Sequence, residues 1–394
     1  MRLTLSCLLG MLILGSSACS PQTEDKAKQA ATQPPQTQIN PPAEPGTLRF
    51  LAGERQTDLE TVLSELSARR LIFIGENHDR YDHHLNQLAL IRRLYESDPR
   101  LTLGLEMFQQ PAQPYLDAYI AGRSDERELL EKSRYFERWG FDYRLYRPLL
   151  QYAREQSIPL LALNVPTETI RQVSQGGLGS LSVAERTRIP QIDTSDRAYR
   201  DRLRRVFEQH QGMTDSDFQR FLEVQLLWDE GMAEQAARYL QAHPEQRLIV
   251  LAGNGHLVYG SGIPNRVRRR LPVPMAIILQ DAASTDPAAG ADYVTLSDPV
   301  ALPAAGRLGV ILDSKAEGPG LRVAQVAPHS GAQQAGIQAD DRLLGVAGQA
   351  VDSMQDVSLA LLDKNPGERV SVAVRRDQQQ SRQDLVLTVT LQPQ

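Results

Sequence analysis

The sequence predicts an α/β protein: a mostly parallel sheet with helices on both faces, followed by a small C-terminal β-rich domain. Three observations carry that prediction. From Leu48 to Leu279, short continuous apolar runs alternate with helical patterns, and long helical crossovers between such strands produce parallel sheets covered on both faces. From Asp281 to Ala305 the composition turns to Ala, Pro, Asp and Gly, which interrupts a fold. Beyond it the apolar runs become short and alternating, as in antiparallel modules.

The strands of the large domain are expected at Leu71–Ile74, Leu101–Leu105, Pro159–Leu163, Leu248–Leu251 and Met275–Leu279. Each is an apolar run short enough for a buried strand and bounded by polar residues or turn formers. Helices are expected at His83–Ser97, Ala112–Ala121, Leu145–Gln156, Asp196–Gln209 and Asp215–Gln241. The last opens on a capping aspartate, and Phe218, Phe221, Leu222, Leu226, Ala233, Ala236 and Leu240 give it one apolar face. Ser174 to Ile192, with Gly176, Gly177 and Gly179, reads as a flexible excursion. In the second domain the strands are Val310–Leu312, Leu321–Val326, Arg342–Val346, Val370–Arg375 and Leu385–Leu391, with one helix from Met354 to Leu362.

Arg2, the apolar run Leu3 to Leu14 and Ser16-Ser17-Ala18-Cys19 have the layout of a secretory signal, and the cysteine after small residues resembles a bacterial lipobox. Residues 1–18 are therefore expected to be a signal peptide and Cys19 the lipidation site. Residues 19–47, rich in Pro, Gln, Thr and Ala, are expected to form a disordered tether. A large domain over 48–280, a linker over 281–304 and a second domain over 305–394 complete the expected organisation. The expected location is the bacterial cell envelope, at the outer membrane and facing the periplasm. Cleavage before Cys19 removes Cys7 and leaves no pair for a disulfide. A formal net charge of -5 argues against a nucleic-acid partner, which a basic patch would mark. The runs Arg202-Leu-Arg-Arg205 and Arg266-Val-Arg-Arg-Arg270 read as solvated helix faces.

Chemistry is concentrated at strand ends. Glu76 and His78 follow the first strand, Glu106 the second, Asn164 the third, and Asn254 and His256 the fourth. Carboxyl ends of parallel strands share one edge of the sheet, where ligand sites form. Two histidines with two carboxylates suit either a metal site or an acid/base pair. His83 and His84 are expected in capping or surface salt bridges, because Asp79/His83 and His78/Asp82 are spaced for one helix face. His210, His243 and His329 read as surface residues.

Ile74-Gly-Glu-Asn-His78, Gly104-Leu-Glu106-Met-Phe, Ala162-Leu-Asn164-Val-Pro, Gln225-x-x-x-Asp229-x-x-Met232-Ala233 and Gly253-Asn-Gly-His256 together resemble the ChaN-like lipoproteins of the Tiki/erythromycin-esterase superfamily. The resemblance spans Leu48 to Gln280. It implies a haem-binding protein of iron uptake, holding haem in a pocket at a subunit interface and hence a homodimer. His78, Asn164, His256, Tyr143 and Tyr146 are the implied cofactor-binding residues, with tyrosine or histidine as axial ligand. The hydrolase branches imply the alternative: a metal-dependent hydrolase in which Glu76, His78, Glu106 and His256 ligate a divalent metal ion or act as acid and base. One residue separates Glu76 from His78, where the esterases have two. No Gly-x-Ser-x-Gly elbow accompanies them.

Gly306-Arg307-Leu308-Gly309-Val310, Ala327-Pro-His-Ser-Gly331-Ala332, Asp340-Asp341-Arg342-Leu343-Leu344 and Asn365-Pro366-Gly367 resemble a PDZ domain of the bacterial envelope-protease type. That resemblance implies capture of a peptide, either an internal strand or a protein C-terminus, along Leu308, Gly309 and Val310, with Val357 and Leu361 lining its side-chain pocket.

Overall fold

The computed structural model describes residues 49–53, 55–209, 214–281, 290–378 and 381–393. The expected signal peptide, the expected lipidation site Cys19, the expected tether and His210 lie outside the described residues. The chain forms two compact units. Among the described residues, one is built from those before Arg134 together with Phe141–Ala301, the other from those after Ala301 with Arg134–Gly140.

The first unit is an eight-stranded sheet flanked by helices. Its strands are β1 (Arg49–Ala52), β2 (Arg55–Thr57), β3 (Leu71–Glu76), β4 (Leu101–Gln109), β5 (Leu160–Asn164), β6 (Arg247–Gly253), β7 (Met275–Gln280) and β8 (Tyr293–Leu296). Their order across the sheet is β2-β1-β8-β7-β3-β6-β4-β5. The strands from β3 to β8 pair in parallel, whereas β1 pairs antiparallel with both β8 and β2 at one edge. β3, β4, β5 and β6 are buried along their whole length, which is why each reads as a continuous apolar run. The β3–β6 register runs from Leu71 opposite Leu248 to Glu76 opposite Gly253. Adjacent strands therefore deliver their polar ends side by side.

The helix Asp215–Ala242 covers one sheet face. Its Met232, Ala233, Ala236 and Ala237 pack in one core cluster with Leu71, Phe73, Leu248 and Val250. The small alanines let helix and sheet approach closely, and each large aliphatic buried there contributes about 1.5–3 kcal/mol.

Five details differ from the sequence expectations. The linker assigned to 281–304 contains β8, which pairs with β7 and β1; Tyr293 and Thr295 are buried in the sheet and add a strand too short to stand out in the sequence. A hairpin and the helix Leu59–Leu66, capped by Asp58, precede β3. The stretch 174–192 is held in place, with Leu181 buried and a capping box of Ser182 and Glu185 starting the helix Val183–Arg186. The cap of Asp215–Ala242 is Thr214, which forms a capping box with Asp217, and Asp215 lies in the first turn. The helix after β3 begins at Tyr81, so His83 and His84 occupy a first turn turned into the core, 0% and 1% exposed, and not a surface face. Asp79 and His78 precede that helix and share no face with their supposed partners.

The second unit is an antiparallel sheet of β9 (Val310–Asp313), β10 (Leu321–Val326), β11 (Arg342–Val346), β12 (Gln349–Ala350), β13 (Arg369–Gln378) and β14 (Ser381–Thr390). The order is β14-β13-β11-β10-β9, with β12 paired to β11, so β9 lies at an edge. The helix Met354–Leu361 starts at a Ser353–Asp356 capping box. Val357 and Ala360 join Leu308, Val323, Val346, Val372 and Val389 in the core of this unit.

Candidate functional site

Four neighbouring strands, β3-β6-β4-β5, bring the predicted polar residues to one rim. Glu76 at the end of β3 is buried and accepts four contacts. The Tyr146 hydroxyl donates to Oε1 at 2.8 Å and His78 Nδ1 lies 2.8 Å from the same oxygen. Gln87 Nε2 donates to Oε2 at 2.9 Å, and His84 Nδ1 stands 3.5 Å from Oε2. Burial alone would raise the Glu76 pKa. The charge of His84 and the bonds from His78 and Gln87 outweigh it and hold the carboxyl down to about 2.

Glu106, within β4, accepts the Gly253 amide at 2.7 Å and faces His256 Nε2 at 3.4 Å. The other nitrogen of His256 lies 2.6 Å from Asp229 on the helix Asp215–Ala242, and the Tyr199 hydroxyl donates to Asp229 at 2.6 Å. Burial disfavours a charged His256, but the carboxylates of Glu106 and Asp229 dominate and push it up to about 10. Burial likewise opposes ionisation of Glu106, and His256 and His78 override it to lower its pKa. For His78, burial is outweighed by Glu106 and Glu76, which raise it. The two histidines and three carboxylates are thus mutually ion-paired, the carboxylates outnumbering the imidazoles by one. Gly253 lies between the two pairs because a Cβ there would stand 3.0 Å from the His78 ring. Gly75 makes room similarly: its Cβ would fall 2.1 Å from the Asn254 side-chain oxygen.

Among the described residues, the group of three potential ligands whose donor atoms lie within 4.8 Å of one another is Asp82, His83 and Asp281, not the rim quartet. Arg80 already bridges Asp82 at 2.6 Å and Asp281 at 2.8 Å. His83 accepts the Asn77 amide on Nδ1 at 3.0 Å and contacts Asp281 through Nε2 at 3.2 Å. Arg80 thus draws this triad into a partly buried ion-pair cluster.

The chain leaving His256 turns through Tyr259, whose φ of 61° is uncommon for a residue with a side chain. Its ring is 45% exposed, in a unit whose other tyrosines are mostly packed inside. It borders a cavity of about 410 Å³ together with Asp196, Arg202, Arg205, Ser261 and Arg268. Strained backbone that presents a polar aromatic into a cavity is a mark of function. The sequence reading missed Tyr259, although it stands three residues past the Gly-Asn-Gly-His step. It quoted Asp229 in a motif without giving it a role and left out Tyr199; the fold brings both to the His256 cluster.

Of the remaining predicted residues, Asn164 and Tyr146 adjoin the rim carboxylates. Asn164 ties β5 to β4, its Nδ2 donating to the Glu106 carbonyl at 3.0 Å and its Oδ1 accepting the Val165 amide at 2.8 Å. Tyr143 is fully buried and donates to Glu126 at 2.8 Å; burial and the Glu126 charge raise its pKa well above the usual value. Tyr146 belongs to the Glu76 cluster. His243 and His329 are exposed.

In the second unit, Leu308, Val310 and Val357 are buried and Leu361 packs against their cluster. The carbonyls of Leu308 and Gly309 accept the Ala332 and Ala327 amides at 2.9 and 2.7 Å. Gly309 has φ of 78°, and a Cβ on it would lie 2.0 Å from Ser330, so this loop requires glycine. Edge strand β9, this loop and the helix Met354–Leu361 frame the face expected to receive a peptide.

Residues 62–267 match the family model for haem-binding uptake, Tiki superfamily, ChaN, and residues 306–387 match a PDZ domain. A curated relative, Protein RETICULATA-RELATED 5, chloroplastic, from Arabidopsis thaliana, is 25% identical over 246 residues, covering 56% of this chain and 32% of the relative. The chain thus spans about a third of that protein's length. The solved structure of cofacial haem binding to ChaN of Campylobacter jejuni aligns with a TM-score of 0.53 at 18% identity, covering 64% of this chain and 97% of that one. It shares the fold. Erythromycin esterase EreC aligns more loosely, with a TM-score of 0.36 at 18% identity over 59% of this chain and 76% of its own.

Proposed function

Because this chain belongs to the haem-binding uptake family of the Tiki superfamily that includes ChaN, we propose that its large unit binds haem, whose iron the Tyr259 phenol would hold. The observation that carries this reading is Tyr259 itself, an exposed phenol on strained backbone at a cavity lined by arginines. A phenolate oxygen is a suitable ligand for ferric haem iron, and guanidinium groups suit the two propionates. Tyr143 and Tyr146, the tyrosines expected from the sequence, keep their hydroxyls on Glu126 and Glu76 in the interior. Bound haem supplies a ferric centre within a dicarboxylate macrocycle. The chain's own part is to hold it: Tyr259 at the iron, the cavity arginines near the carboxylates, and the His256–Asp229 pair fixing the root of the Tyr259 loop.

Titration of the full-length chain with haemin tests the reading. We expect a saturable Soret shift that Tyr259→Phe moves or abolishes and Tyr143→Phe leaves in place. A Soret change indifferent to Tyr259→Phe would contradict it.

The pairing of Glu76 with His78 and of His256 with Glu106 and Asp229 favours a structural rim over a divalent-metal hydrolase site. Each imidazole already faces a carboxylate that a metal would need. The reading further includes a Cys19 lipid anchor that tethers the protein in the bacterial envelope, a role in iron or haem uptake, a homodimer in the haem-loaded state, and a PDZ unit that binds an extended peptide by strand addition at β9.

A further inference from the structure

Tyr259 adopts φ of 61° and ψ of 9° between the short turn Asn254–His256 and the helix Ile263–Arg270. A residue with a Cβ keeps that left-handed conformation only where its surroundings enforce it. Part of the enforcement is local. Leu257 is buried, its amide donates to the Asn254 carbonyl at 3.0 Å, and the Gly260 amide donates to the Leu257 carbonyl at 2.9 Å. Gly262 closes the loop on its own start: a Cβ there would stand 2.0 Å from the His256 carbonyl oxygen and 3.1 Å from the Asp229 carboxylate.

The other part comes from a distant stretch of the chain. A Cβ on Gly290 would stand 2.6 Å from the Tyr259 Cα and 2.7 Å from its carbonyl carbon. The atoms met are backbone, which cannot turn aside as the tip of a side chain can. Gly290 itself has φ of 69° and leads into β8. Two residues later, Asp292 pins this stretch to β7. Its amide donates to the Ile277 carbonyl at 2.9 Å, and its carboxylate accepts the Ile277 amide at 2.8 Å. The short strand that local pattern does not reveal thus sets one backbone directly against another at Tyr259.

Resting on the haem reading above, we propose that Gly290 is a positioning residue for haem binding. Its missing side chain lets the stretch before β8 hold the Tyr259 backbone in the conformation that presents the phenol to the iron. A first-contact group works only within about 0.5 Å of its productive place. A methyl group on Gly290 would force the two backbones apart by several tenths of an ångström.

The test titrates the full-length chain with haemin and with metal-free protoporphyrin, in wild type, Gly290→Ala, Gly122→Ala and Tyr259→Phe. Gly122 is the matched control: its φ is also 69°, and a Cβ on it meets nothing within 4 Å. Both alanines carry left-handed strain and should lower the melting temperature, but only one touches Tyr259. We expect Gly290→Ala to weaken haemin by about tenfold and to move its Soret band toward that of Tyr259→Phe. Metal-free protoporphyrin, which has no iron for the phenol to hold, should bind Gly290→Ala as it binds wild type. Gly122→Ala should bind both ligands as wild type does. In the Tyr259→Phe background Gly290→Ala should add no further loss, the mark of two residues acting through one contact. Asp292→Ala removes the anchor without adding an atom, so it should give the same selective loss to a smaller degree, and it serves if Gly290→Ala does not fold. Tyr259-dependent haemin binding that is indifferent to Gly290→Ala and Asp292→Ala overturns the positioning role and leaves the haem reading standing. Equal loss of haemin and metal-free protoporphyrin in these variants overturns it too. Absence of haemin binding by wild type overturns both.

Discussion

His256 stands between Asp229 at 2.6 Å and Glu106 at 3.4 Å; both carboxylates are buried and the imidazole is 14% exposed. Removing one charge of a buried ion pair costs about 3–5 kcal/mol when the survivor is left uncompensated; with Glu106 still beside His256, a cost of about 1–3 kcal/mol is expected. We expect Asp229→Asn to destabilise the protein by that order, measured by urea unfolding, and to lower the His256 pKa, read by NMR. A melt matching wild type would mean the pair is not formed. The pH dependence follows from two shifts of opposite sign. Glu76 is lowered from 4.5 to about 2, so its contribution is full above pH 4.5 and disappears as pH falls toward 2. His256 is raised from 6.5 to about 10, so its contribution is full below pH 6.5 and declines as pH rises toward 10. Unfolding free energy against pH should therefore plateau between these limits and fall on both sides. A curve flat from pH 6.5 to 10 would contradict the assignment of His256.

The strands were legible because burial on both faces leaves nothing but apolar residues between polar ends, as in Leu71–Glu76 and Leu248–Gly253. β8 was not, since four residues within a Pro- and Ala-rich stretch carry too little pattern, and only pairing with β1 and β7 makes Tyr293–Leu296 a strand. His83 and His84 were misplaced for a physical reason: a helix whose first turn faces inward buries polar residues that local spacing alone assigns to solvent. Tyr259 escaped because a positive φ outside glycine leaves no sequence signature. Helix packing yields a sharper expectation at Gly231, where a Cβ would lie 2.2 Å from Val165 Cγ2. Alanine gains about 1 kcal/mol in helix propensity, against overpacking that costs about 1–3 kcal/mol. Gly231→Ala should therefore lower the melting temperature, and adding Val165→Ala should recover part of the loss. Equal melting of both variants would show that this contact does not limit the approach of helix to sheet.

The molecule joins a family fold for haem to a PDZ domain, and the second unit makes its own prediction. If the loop at Leu308 and Gly309 takes a terminal carboxylate, peptides with a free apolar C-terminus should bind the full-length chain about tenfold or more tightly than their C-terminal amides, by fluorescence anisotropy. Equal affinities would leave internal strand addition at β9 as the mode. The central claim concerns the first unit, where the ion-paired rim precedes the loop that presents Tyr259 to an arginine-lined cavity. Resonance Raman spectroscopy of the haemin-loaded chain tests it most directly. We predict iron–phenolate bands in wild type that vanish in Tyr259→Phe and persist in Tyr143→Phe and Tyr146→Phe. Phenolate bands that survive Tyr259→Phe, or a wild-type spectrum without them, would contradict it.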